Sequence, residues 1–164
     1  SSGDEPVYGM CIVRVYDESL PEYSYAENGD GTITLTKYNG IDTEVTVPSM
    51  FDGKTVTSLK GYAKYEHGTG PYYFSLFPAE TNSVILPNTL KSIGELAFTN
   101  VQLETITIPD SVTKIDNNAF RFCFIKNITI PSNVKTIGNS AFWYSSLNKV
   151  TIKGSDTVTE SAAF

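Results

Sequence analysis

Few residues in this chain are of a type that does chemistry: one histidine, two cysteines and some carboxylates near turns. Catalysis needs a base or nucleophile held beside its reacting group. His67 instead sits in the polar run Glu66-His67-Gly68-Thr69-Gly70, which has the composition of a solvated loop. Cys11 and Cys123 are too few for a disulfide framework and share no metal-ligand spacing with His67. Cys123 reads as a small buried thiol. Asn28-Gly29-Asp30-Gly31 has the flavour of a calcium loop, but setting Gly31 at the central glycine puts Ala26 and Lys37 where acidic ligands belong. A hairpin turn is the better reading. Asn127-Ile128-Thr129 matches a glycosylation sequon, a tripeptide that arises readily by chance. An acid–base pair would require carboxylates such as Asp52 and Glu80 to converge. No catalytic residue, metal or cofactor is assigned, and the chain reads as a non-enzyme.

The elements that must position any site follow from composition and periodicity. The 164 residues are 40% apolar, 12% aromatic and 18% charged, which suits one ordered domain rich in strands. A net charge of −6 without a Lys or Arg run argues against a phosphate-backbone partner, so nucleic acid is not expected. No stretch approaches the roughly 18 to 20 apolar residues of a membrane helix, and no signal peptide opens the chain. An exported form would have lost its signal, and Ser1-Ser2-Gly3-Asp4-Glu5-Pro6 suits a mature N-terminus or an expression boundary.

Aligned with itself, the second half repeats every 22 residues. Prolines recur at Pro87, Pro109 and Pro131, and Ala-Phe recurs at Ala97-Phe98, Ala119-Phe120, Ala141-Phe142 and Ala163-Phe164. Within a copy, Ile106-Thr107-Ile108 alternates apolar and polar residues, the period of a short strand. Proline follows directly; lacking an N–H, it ends the ladder and turns the corner. The return path spaces Val112, Ile115, Ala119 and Phe120 like a turn or two of helix, so short helical or 3₁₀ segments are expected there. A single repeat buries too few apolar side chains to offset the ordering of 22 residues, so the copies must stack. Stacking would pack Phe98, Phe120, Phe142 and Phe164 into an aromatic spine.

The pattern L-x-x-I-x-I-P-x-x-V-x-x-I-x-x-x-A-F, carried by Leu103-Glu-Thr-Ile106-Thr-Ile108-Pro109 and Ile125-Lys-Asn-Ile128-Thr-Ile130-Pro131, resembles the BspA-like (Treponema-type) leucine-rich repeat family. The likeness is clean over 81–164 and looser over 38–63, where Val45-Thr-Val47-Pro48 and Asp52-Gly53 look like the family's first repeat. The resemblance implies a leucine-rich-repeat solenoid, mainly β, with short parallel strands and short helical or 3₁₀ returns. It also implies an extracellular or cell-surface protein that binds host or partner macromolecules, adhesin-like in kind, with no catalysis.

The expected organisation is an N-terminal β cap over 1–37, built from Val7 to Tyr16 and Thr32 to Lys37, and a solenoid over 38–164. Its irregular first repeat, 38–80, holds an insertion over 62–80, since 39 residues separate Pro48 from Pro87. Regular repeats follow at 81–102, 103–124 and 125–146, with a partial one at 147–164. There Asp156 and Thr159 replace Val and Ile, and Lys149 and Lys153 flank the strand, which discourages further pairing.

Two surfaces are candidates for binding. One is the strand face, where Thr105 and Thr107, Asn127 and Thr129, and Lys149 and Thr151 would form polar ladders; its bland reading is plain solvated strand. The other is the insertion, a Gly-rich loop with Tyr62, Tyr65, Tyr72 and Tyr73 as anchors, while Phe74 and Phe77 are expected to fold back as core. The partner is a protein or, in the alternative of a carbohydrate-binding accessory module, a glycan stacked on those tyrosines.

Overall fold

In the computed structural model, which describes residues 20–68 and 70–164, the coils contribute short strands to two parallel stacks on different faces, one continuous and one interrupted. The strands in chain order are β1 (Tyr23–Glu27), β2 (Thr32–Tyr38), β3 (Glu44–Thr46), β4 (Met50–Phe51), β5 (Lys54–Leu59), β6 (Tyr62–Glu66) and β7 (Gly70–Phe74). They continue with β8 (Ser83–Ile85), β9 (Ser92–Ile93), β10 (Lys114–Ile115), β11 (Asn127–Ile130), β12 (Thr136–Ile137), β13 (Lys149–Ile152) and β14 (Val158–Thr159). Return strands β9, β10, β12 and β14 pair in parallel and extend through β5 to β2, with β1 added antiparallel at the edge. The partners Ile93, Ile115 and Ile137 are all fully buried, so the period set by the sequence appears directly as a row of core residues. The β1–β2 turn is the expected one: Gly29 and Gly31 have positive φ, and Asp30 Oδ1 accepts Thr32 N at 2.9 Å. Val7 to Tyr16 lie outside the described residues.

The return path corrects one expectation. Among the described residues there is no helix. Pro109 turns the corner with a single Val112 N to Pro109 O bond (3.1 Å), and a chain of separate turns follows: Ala119 N to Asp116 O, Arg121 N to Asn118 O and Cys123 N to Phe120 O. Asn118 and Phe122 lie at positive φ, as do Ser140 and Tyr144 one repeat on, and a left-handed residue at every fourth position breaks a right-handed helix. Freed from helical bonding, these amides reach the next coil: Phe98 N donates to Ala119 O at 2.8 Å, Phe120 N to Ala141 O at 2.7 Å and Phe142 N to Ala163 O at 2.8 Å. The staircase of turns is thus a third inter-coil ladder.

Beneath it runs the aromatic spine. Phe98, Phe120, Phe142 and Phe164 stack at centroid spacings of 5.0, 5.1 and 5.3 Å, their planes within 6° of parallel. Phe77 joins at 5.2 Å and is buried, as expected, whereas Phe74 is 38% exposed and stacks on Tyr62 instead of entering the core. Read from sequence as a loop, the start of the insertion is the antiparallel hairpin β6–β7. Gly61 sets its root: a Cβ there would sit 2.3 Å from Phe74 O and 2.4 Å from Leu96 O, so only glycine allows the close approach.

The strand face departs from expectation at one repeat. β3 pairs with β8, and β11 with β13 in the 22-residue register Asn127 to Lys149 and Thr129 to Thr151. Between these two-stranded sheets, Thr105 to Ile108 forms no strand, and no backbone hydrogen bond joins 103–108 to either neighbour. The ladder through Thr105 and Thr107 is therefore interrupted. Alternation survives, with Ile108 buried and Thr107 exposed, so side-chain burial rather than pairing holds this segment.

Candidate functional site

The six strand-face residues converge in space despite the interruption. Thr107, Asn127, Thr129, Lys149 and Thr151 line one groove of about 880 Å³, with Asn88, Asp110 and Lys153 at its margin. Thr105 lines an adjoining groove of about 370 Å³ against β8, and Thr107 belongs to both. The two depressions flank the unpaired 103–108 segment, whose free N–H and C=O groups add donors and acceptors to a floor of threonine hydroxyls. Asn88 and Asp110, each following a repeat proline, were missed from sequence; their position just past the corner was the available signal.

The hairpin tyrosines lie elsewhere. Tyr62, Tyr65, Tyr72 and Tyr73 are 45%, 76%, 45% and 39% exposed. Tyr62 and Tyr73, with Phe74, line a groove of about 310 Å³ bounded by Thr99 and Asn100 on the staircase. Tyr73 is pinned there by Arg121, whose guanidinium lies 5.4 Å from its ring centroid. The two candidate surfaces are thus lined by different sets of residues, with none in common.

Farther along the staircase is an aromatic cluster that sequence reasoning passed over. Arg121 also stacks on Phe122 (4.8 Å) and Trp143 (4.5 Å), and Phe122 contacts Tyr144 at 5.4 Å. Phe122, Phe124 and Tyr144 are 37%, 53% and 69% exposed. The signal was the one repeat position occupied in turn by Asn100, Phe122 and Tyr144.

The remaining chemical candidates take structural places. Cys123 is buried, its thiol donates to Phe98 O at 3.0 Å, and burial pushes its pKa up to about 12. His67 is exposed in the hairpin turn. Asp52 accepts from Tyr25 Oη at 2.5 Å and faces Lys54, while Glu80 is exposed where the insertion rejoins the coil. In the last repeat, Asp156 pairs with Lys135 at 2.7 Å, which holds its carboxyl below the usual range. No group of three or more metal-ligating side chains occurs among the described residues, and no helix there is long and apolar enough to cross a membrane.

Comparison with known proteins places this geometry. The model for the BspA type leucine rich repeat region matches residues 69–164 in six copies. No curated protein matches the chain. Among solved structures, the T. pallidum leucine rich repeat protein is 25% identical with a TM-score of 0.56, over 79% of this chain and 68% of that one. The pneumococcal vaccine antigen PcpA is 25% identical with a TM-score of 0.56, over 84% of this chain and 37% of that one. A leucine-rich repeat protein from Bacteroides ovatus, 22% identical with a TM-score of 0.51, is matched over 83% of this chain, which spans 41% of its length.

Proposed function

We propose, on the premise that this chain belongs to the BspA-type leucine-rich repeat family, that it is a protein-binding module of the cell surface or extracellular space, adhesin-like, which engages its partner along the strand face. The carrying observation is that Thr107, Asn127, Thr129, Lys149 and Thr151, from three successive repeats, line one groove, with Thr105 in the depression beside it. Solenoids present extended surfaces of this kind because each repeat adds the same row of side chains. Charge supports a protein partner. The chain carries −6 overall, yet the charged residues of the groove are Lys149, Lys153 and Asp110, a basic strip on an acidic molecule that favours an acidic protein surface. The extracellular placement draws on the likeness to PcpA, described as a vaccine antigen.

The test is binding of the labelled chain to a panel of immobilised cell-surface and extracellular proteins. Thr129→Glu with Thr151→Glu puts two carboxylates into the groove at exposed positions. Retention should fall about tenfold or more with thermal unfolding unchanged, since truncating or reversing a central contact costs about 1.4 kcal/mol or more. Retention equal to that of the parent chain overturns the reading.

A further inference from the structure

Tyr144 and Phe122 occupy a backbone conformation that suits neither. Both have positive φ, 54° and 57°, where a bulky side chain is strained and asparagine is at ease; the equivalent residue one repeat earlier, at φ 60°, is Asn100. Strain can be offset by burial, and it is at Leu96, which has φ 61° and is 2% exposed. It is not offset at Tyr144, which is 69% exposed. Two adjacent repeats thus put an aromatic ring where folding favours asparagine, and at Tyr144 leave it mostly in solvent. Such strain points to a use for the ring itself.

What surrounds the rings identifies that use. Phe122, Phe124 and Tyr144 line a groove of about 370 Å³ with Asn100, Gln102, Cys123 and Ser146. No charged side chain lines it. The side-chain amides of Asn100 and Gln102 and the side-chain hydroxyl of Ser146 make no hydrogen bond among the described residues. Three aromatic faces, two free amides and a free hydroxyl, all uncharged, match a ligand with apolar C–H faces and many neutral hydroxyls. The rings are also held in place: Phe122 is clamped between Arg121 and Trp143, and Trp143 meets Tyr144 edge-on at 4.2 Å.

We propose that this staircase groove binds a neutral glycan, one pyranose ring stacking on Tyr144 and Phe124 while Asn100, Gln102 and Ser146 bond its hydroxyls. The site lies apart from the strand face and does not depend on the protein-binding role given to it.

Trp143 is the only tryptophan in the chain and touches both Phe122 and Tyr144, so its emission reports on the groove. The test is an array of neutral and charged oligosaccharides, followed by Trp143 fluorescence titration with xylo-, cello-, malto- and manno-hexaose. At least one neutral glycan should be retained and should change the emission saturably. Phe124→Ala should weaken binding about tenfold or more. Tyr144→Asn, which restores the residue its backbone prefers, should abolish binding while leaving the melting temperature equal or higher, so loss of binding cannot be ascribed to misfolding. The proposal is overturned if no neutral glycan binds, if only sulfated or sialylated glycans do, if Tyr144→Asn binds like the parent, or if sedimentation shows Tyr144-dependent self-association, in which case a second copy covers the face.

Discussion

Cys123 shows how a repeat position decides the fate of a reactive atom. Its siblings Val101 and Ser145 occupy the same step of the staircase, between the spine and the next coil. Burial there keeps the thiol neutral, lifting its pKa from an ordinary 9.0 to about 12. Two outcomes follow. Iodoacetamide at pH 8 should leave Cys123 unmodified in the folded chain and alkylate it after denaturation, as peptide mass mapping would show. Stability should also fall as pH rises from about 9 towards 12, because there the unfolded thiol ionises and the folded one does not; below pH 9 both are protonated and the group contributes no slope. In chemical denaturation from pH 8 to 11, Cys123→Ala should reduce that decline relative to the parent. The buried-thiol reading was available from sequence because the register places Cys123 three residues after the Phe120 of the Ala-Phe pair. The strained aromatics were not, since residue type does not announce positive φ where asparagine, phenylalanine and tyrosine all occur at one repeat position.

At the scale of elements, the interrupted strand face carries its own prediction. The amides of Ile106, Thr107 and Ile108 have no backbone partner, whereas those of Phe98, Phe120 and Phe142 are bonded to the neighbouring coil. Hydrogen exchange followed by NMR should find the first group exchanging faster by a factor of about a hundred or more, and comparable protection in both groups would show the sheet to be continuous. Alternating Ile and Thr made a strand legible here, but alternation specifies only which side chains are buried; pairing depends on how neighbouring coils sit. The misread return path has a similar origin. Apolar residues at Val112, Ile115, Ala119 and Phe120 satisfy helical spacing, and a run of separate turns with left-handed steps at Asn118 and Phe122 satisfies it equally well.

For the whole molecule, stability is shared along the stack, so position in the stack should set the cost of a mutation. Phe120 is fully buried between two rings, and Phe120→Ala should cost about 3 to 5 kcal/mol by denaturant unfolding. Phe164 is 47% exposed and has one spine neighbour, so Phe164→Ala should cost much less. Equal losses would mean that the spine is not cooperative. The 22-residue period made the solenoid and its spine readable before any coordinate, since stacking identical turns leaves little freedom in what meets what. The hairpin of the insertion belongs to no repeat rule, and the staircase groove is built on two repeat positions, 100/122/144 and 102/124/146, whose residue types change from coil to coil.

The inter-coil hydrogen bonds all run along the axis on which the coils stack. Tension between the ends of that stack therefore loads them lengthwise and opens them one coil after another, as a zip opens, instead of shearing many at once. Each regular coil that yields releases 22 residues, roughly 75 Å of slack. Pulled from its two ends, such a stack should lengthen in steps of one coil and rewind from whichever coils remain closed.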